Sequence, residues 1–180
     1  MGWRTATFLE MQTRLLAEVP GLATVALYNG QGQMMKGETN EHIPYTLPAV
    51  FIAFQGGEWY IERDLVRYSD QYVFRLHYID QVYQDDDNRS ANQAAAINHL
   101  DAIDAVVNAL DQWQGLTYAG RVEFSGELLD EDRTHIIEHQ LEFYAKVCDP
   151  SLKDKDQAAT TTRQADDTDI IRTGQSQHEG

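Results

Sequence analysis

The stretch Leu47-Pro48-Ala49-Val50-Phe51-Ile52-Ala53-Phe54 is apolar at odd and even positions alike from Ala49 onward. A strand with one wet face alternates in character. One that is apolar throughout has to be covered on both sides, so residues 49 to 54 are expected at the centre of a sheet. Further on, Gln71 to Ile79 sets Tyr72, Phe74, Leu76 and Tyr78 on one side and Val73, Arg75 and His77 on the other. That period of two marks a strand with one packed face and one partly wet face. The turn between them holds Gln55-Gly56-Gly57-Glu58-Trp59-Tyr60. Trp59 and Tyr60 either form a partner-binding tip or cover the sheet, because aromatic side chains serve interfaces and cores alike.

Outward toward the N-terminus, Thr7-x-x-Glu10 has the form of a capping box. Phe8, Met11, Leu15 and Val19 follow at spacings of three and four, and Pro20-Gly21 closes the run, so a helix is expected over residues 8–19. Ala23 to Tyr28 reads as a strand. From Asn29 to Thr46 the periodicity vanishes, in a connection long enough to be functional or disordered. Met34, Met35 and Tyr45 lie on it, and they suit either an adaptable contact surface or a loop folded back on its own core.

Outward toward the C-terminus, Asp85, Asp86 and Asp87 lead into Ser90-x-x-Gln93, a second capping box. The acid run lacks the glycine and distal glutamate of a calcium loop, so it reads as a solvated helix entry. Ala96, Leu100, Ile103, Val107 and Leu110 recur at helical spacing, giving a long amphipathic helix over 91–113 that Gly115 ends. A short strand over 119–125 and an acidic connection over 126–133 come next. From Ile137 to Val147 apolar and polar residues then alternate as a final strand. Beyond Asp149 aliphatic residues almost disappear, and such a segment buries too little to fold alone. The expected class is therefore α+β: a small mixed or antiparallel sheet flanked by an N-terminal helix and a long amphipathic helix. One domain spans 1–148, and 149–180 form a polar, flexible tail whose Ile170-Ile171 pair suits a partner-ordered arm or a plain solubilising appendage.

With 29 acidic and 14 basic residues among 180, the formal charge is -15, which disfavours nucleic-acid binding through a basic surface. It does suit a passage along which DNA slides without sticking. A lone cysteine, Cys148, provides no disulfide framework and no thiolate cluster. Glu10 and Arg14 interrupt the apolar N-terminal segment, so neither a secretory signal nor a membrane anchor is expected. His135-Ile136-Ile137-Glu138-His139 matches the H-x-x-E-H pattern of one zinc peptidase class. That chemistry needs a helix, whereas here the pattern opens a strand and sends Glu138 and His139 to opposite faces. A small zinc hydrolase therefore stands behind a non-catalytic reading. No dinucleotide loop, Walker loop or nucleophile elbow is present. His42, His77 and His99 are scattered, and His99 reads as a surface or boundary residue of the long helix. No cofactor, metal or catalytic group is expected.

The order helix, strand, long loop, paired strands, amphipathic helix, paired strands resembles the tail terminator (tail completion) proteins of long-tailed bacteriophages, lambda type. The residues that carry the resemblance are Leu47-Pro48-Ala49-Val50-Phe51-Ile52, Val73-Phe74-Arg75-Leu76-His77-Tyr78-Ile79, and the acidic link into Leu100-Asp101-Ala102-Ile103. It covers roughly Phe8 to Val147. The loop over 29–46 and the tail are additions to it, so no contact of theirs follows from it. The resemblance implies a structural virion protein without catalysis, assembled in the host cytoplasm and located in the tail neck. It would form a ring, commonly of six subunits, that stops polymerisation of the tail tube protein and joins tail to head. Its implied partners are further copies of itself, the tube protein and head–tail connector proteins, with DNA passing through without specific binding and no membrane involved. Another neck protein, for head completion or as an adaptor, is the alternative. Apart from the resemblance, the residues themselves offer Met34, Met35, Tyr45, Trp59, Tyr60, Ile170 and Ile171 as interface candidates. Candidates for an acidic ring lumen are Asp85, Asp86, Asp87, Glu127, Asp130, Glu131 and Asp132.

Overall fold

The computed structural model describes residues 1–31, 45–81, 92–130 and 136–151. Two helices, α1 (Trp3–Glu18) and α2 (Gln93–Leu110), pack on a six-stranded mixed sheet. Its strands are β1 (Thr24–Leu27), β2 (Ala49–Gly56), β3 (Tyr60–Ile61), β4 (Arg67–Gln81), β5 (Glu123–Asp130) and β6 (Ile136–Asp149). They lie in the order β1-β2-β4-β6-β5, with β3 folded back on the start of β4. Only β1 and β2 are parallel; the other pairs are antiparallel.

β2 is interior and covered on both faces, as its unbroken apolar run requires. Val50 and Ile52 join Tyr72, Phe74, Leu76, Tyr78, Leu141 and Phe143 under the helices, where Met11, Leu15, Ile103, Val106 and Leu110 complete the core. Ala49 and Phe51 point the other way, into a smaller cluster with Ile79 and Ile136 that Tyr28, Tyr45 and Leu47 flank. Both clusters exclude water from large side chains, each contributing roughly 1.5–3 kcal/mol by area alone.

Three local signals yield to packing. α1 begins at Trp3, one turn ahead of the Thr7 capping box, with Gly2 as its N-cap and no side-chain cap. The reason is Trp3 itself, whose ring lies 5.0 Å from Tyr72, 5.6 Å from Trp59 and 5.9 Å from Phe54. Burying that indole outweighs a cap, a feature worth about 1 kcal/mol. Thr7 becomes a fully buried helical residue, and Glu10 accepts instead from the Thr117 amide at 3.0 Å. Likewise α2 starts at Gln93, while Ser90 and Ala91 lie outside the described residues. The helix ends at Leu110, ahead of the expected Gly115, and Gln112 takes the left-handed turn with φ 60°. Its buried stripe runs His99, Ile103, Val106 and Leu110, so Leu100 is left 58% exposed. Finally, the strand expected over 119–125 lies further on. Ala119 makes one bridge to Val147, and β5 runs through the segment read as an acidic connection, with an irregularity at Gly126 against β6. Its acidic residues belong to a strand because β6 offers a full row of backbone partners.

Where β2 turns, a Cβ on Gly57 would lie 2.4 Å from the Ser69 hydroxyl and 2.8 Å from the Gln71 carbonyl. Glycine is required there by close approach, so Gly57→Ala is expected to cost about 1–3 kcal/mol in urea unfolding. An unchanged midpoint would show that the two chains do not meet this closely.

Candidate functional site

Polar side chains inside an apolar core cost free energy unless they find partners, so those that persist there mark the places to look. The central pair β4 and β6 carries two such sets, one on each face. Register explains the separation: Tyr78 pairs with His139 and Ile79 with Glu138, so neighbouring residues of β6 point in opposite directions.

Under the helices, four side chains from four elements form a hydrogen-bonded chain. Asp80 of β4 holds His99 of α2, with Oδ2 3.1 Å from Nδ1. His99 Nε2 lies 3.2 Å from His139 Nε2 on β6, and His139 Nδ1 contacts the Glu127 carboxylate on β5. Asp80, His99 and His139 are each 6% exposed, and Glu127 closes the chain toward solvent. The Tyr78 hydroxyl lies 3.4 Å from Asp80 Oδ2, and the Gln81 amide donates to Oδ1 at 2.8 Å. Above Asp80 and His99 opens a cavity of about 550 Å³, lined further by Pro20, Pro48, Tyr78 and Asp101.

On the opposite face His77 Nδ1 lies 2.6 Å from Glu138 Oε1, and both side chains are almost fully buried. Tyr28 stacks on the imidazole at 3.7 Å between centroids and 3° between planes. Gln140 donates to the same Glu138 oxygen at 3.3 Å, and the Arg75–Glu142 ion pair, 2.9 Å, continues the row toward solvent. The face expected to be partly wet at His77 is thus dry there.

Neither set matches a hydrolytic centre. Both ring nitrogens of His99 and of His139 are engaged within their chain. Glu138 and His139 diverge as the strand reading requires, and His135 lies outside the described residues. Among the described residues no group of three or more His, Cys, Asp or Glu side chains could hold a metal ion. Burial pushes the Cys148 thiol up, away from the reactive thiolate.

The residues singled out as interface candidates fare differently. Trp59 is half-buried against Trp3 and Tyr72, so it covers the sheet. Tyr60 is 38% exposed, and its hydroxyl donates to Asp70 at 2.9 Å. Lys146, 3.1 Å from Asp70, and the Tyr60 hydroxyl together hold that carboxyl below its ordinary range. Tyr45 is half-buried, edge-on to Phe51 at 4.9 Å. Met34, Met35, Ile170 and Ile171 lie outside the described residues, as do Asp85, Asp86, Asp87, Glu131 and Asp132. Asp130 is placed at the end of β5, opposite Glu138.

What the sequence reading missed is the exposed apolar set. Leu128 and Leu129 on edge strand β5 are 64% and 38% exposed, and Leu27 on edge strand β1 is 45% exposed. The two adjacent leucines of β5 were hidden among acidic neighbours, in a segment without alternation. No helix among the described residues is long and apolar enough to cross a membrane. No protein-family model and no curated protein matches the chain.

Proposed function

We propose that this protein is a ring-forming structural component of a phage tail neck, placed at the head-proximal end of the tail tube, where it stops polymerisation and joins tail to head without catalysis. The observation that carries this reading is the pair of unlike sheet edges. At one end β1 presents Leu27; at the other β5 presents Leu128 and Leu129, and among the described residues neither edge has a further strand beside it. Exposed edges bearing apolar side chains are templates for association. Two different edges on one subunit favour head-to-tail contacts, the kind that close into rings. The resemblance to tail terminators supplies the biological setting, and the charge of -15 suits a lumen that DNA crosses freely.

The test is assembly. Native mass measurement and electron microscopy of the full chain, alone and with growing tail tubes, are expected to show closed rings and capped tubes. Leu128→Lys with Leu129→Lys is expected to leave a folded monomer that neither closes rings nor caps tubes, because lysines on an edge strand block pairing. A wild-type chain that stays monomeric in both settings, or a double variant that assembles normally, overturns the proposal.

A further inference from the structure

Large apolar side chains left in water gather on two flanks of this molecule. Of the eleven that are exposed among the described residues, three lie on one flank and four on the other. On α1, Leu9 and Leu16 stand three positions before and four positions after Gln12, so all three share one face of the helix. Gln12 donates to the Val25 carbonyl of β1 at 2.7 Å, which turns that face toward edge strand β1. Leu27 completes the flank. Val25 packs beneath the helices, and Leu27, two residues further along the strand, points to the same side.

On α2, Ile97, Leu100 and Asp104 follow one another at spacings of three and four, and the same line runs on through Val107 to Asp111. Asp111 accepts from the Phe124 amide of β5 at 3.0 Å, so this face turns toward edge strand β5. The other side of the helix, at Ala109, meets Arg14 of α1. Leu128 and Leu129 supply the share of the strand, and Leu129 pairs with His139 on the side of the helices. Both flanks stand at one height. Val25, Val50, Tyr78, His139 and Leu129 form a single row of paired residues across the sheet. Gln12 meets that row at Val25, and His99, the neighbour of Leu100, meets it at His139.

We propose that the flank of α1 and β1 in one copy of the chain is the docking surface for the flank of α2 and β5 in the next, so that the helix layer and the sheet layer both continue across the contact. This rests on the ring-forming role and names the surfaces that meet in it. A second copy fits because the two flanks differ in charge. Gln12 and Thr13, polar residues between the leucines of α1, are uncharged, whereas Asp104, Glu123 and Glu127 border the other flank. Two α2–β5 flanks face to face would set carboxylates against carboxylates, which is destabilising. Against the α1–β1 flank they meet no like charge from those residues. Strand sense agrees as well. β1 runs with β2 and each later step across the sheet reverses, so β5 runs opposite to β1. A rotation about an axis along the strands therefore brings the two edges together antiparallel, the slightly more stable pairing. Equal height decides closure. Such a rotation carries one flank onto the other without a rise, and a head-to-tail contact without a rise closes into a ring instead of climbing into a filament.

Paired cysteines test this in the full chain carrying Cys148→Ser. Leu16→Cys together with Leu100→Cys, treated with a short thiol cross-linker, is expected to give a ladder of covalent multimers, and either substitution alone none. Dimers from one substitution alone would overturn the proposal, since they require like flanks to meet. A cysteine on α2 that links to tube protein and never to a second copy would overturn it too. Leu100→Glu gives a second readout. It is expected to raise the concentration at which rings dissociate by about tenfold or more, and adding Leu16→Lys is expected to recover most of that loss. Both sites are exposed, so the folding of the single subunit is expected to stay as it is. Rings that form normally in Leu100→Glu, with no ladder from the paired cysteines, overturn the flank contact and leave the ring role standing. A wild-type chain that forms no rings overturns both.

Discussion

Phe74→Ala is expected to cost about 3–5 kcal/mol, a large part of the roughly 5–15 kcal/mol that holds a domain folded. Phe74 is fully buried at the middle of β4, pairs with Phe54 on β2 and Phe143 on β6, and packs at 5.3 Å from Tyr72 and 5.6 Å from Phe54. Those neighbours link to Trp3, so a hole at Phe74 also loosens the first turn of α1. The cavity is walled by strands on both sides and closes little, which puts the cost at the upper end for a phenylalanine deletion. Leu100→Ala is the matched control. Its side chain stands 58% exposed on α2, and its loss is expected to change stability by about 0.5 kcal/mol or less. Urea unfolding of both variants decides the matter, and comparable losses would mean that the core stripe of α2 passes through Leu100 after all.

That contrast shows where the sequence speaks and where it falls silent. The layers were legible because a doubly apolar strand and a long alternating strand have few other uses: β2 is interior and helices pack on the sheet, whereas the pairing of β4 with β6 and the sharing of one face by α1 and α2 were not read. Boundaries were not legible, because they are decided by contacts distant in sequence. Trp3 reaches Tyr72 and starts α1 a turn early, overriding the local signal at Thr7. In α2 the misplaced stripe has a chemical cause. Hydropathy counts His99 as polar and Leu100 as apolar, yet Asp80 and His139 await the imidazole, so the helix turns that face inward.

The polar sets were hidden for the same reason. His77, His99 and His139 are scattered along the chain, and their carboxylates lie 61, 19 and 12 residues away from them. No spacing rule finds a contact that exists only after strands have paired. One signal was available: the alternation of β6 assigned Glu138 and His139 to opposite faces and so weighed against the peptidase pattern. It did not show that each residue would meet a partner of complementary chemistry on its own face.

Glu138→Leu is expected to destabilise the protein by about 3 kcal/mol. Glu138 Oε1 lies 2.6 Å from His77 Nδ1, both side chains are at most 5% exposed, and Gln140 also donates to that oxygen. Removing one member of such a pair leaves the other polar group buried, which costs about 1–3 kcal/mol for a neutral partner and about 3–5 kcal/mol for a charged one. Leucine keeps most of the volume, so the loss reports polarity more than packing. The pair itself is a different matter, since replacing both members by apolar groups of similar shape is often neutral. His77→Phe together with Glu138→Leu keeps an aromatic ring against Tyr28, which stacks on His77 at 3.7 Å, and is expected to return to within about 1 kcal/mol of wild type. A double-mutant cycle in urea measures the coupling directly. If Glu138→Leu alone stays within about 0.5 kcal/mol of wild type, the two groups are not paired in solution. If the double variant is no better than the single one, shape rather than the unmatched imidazole sets the cost.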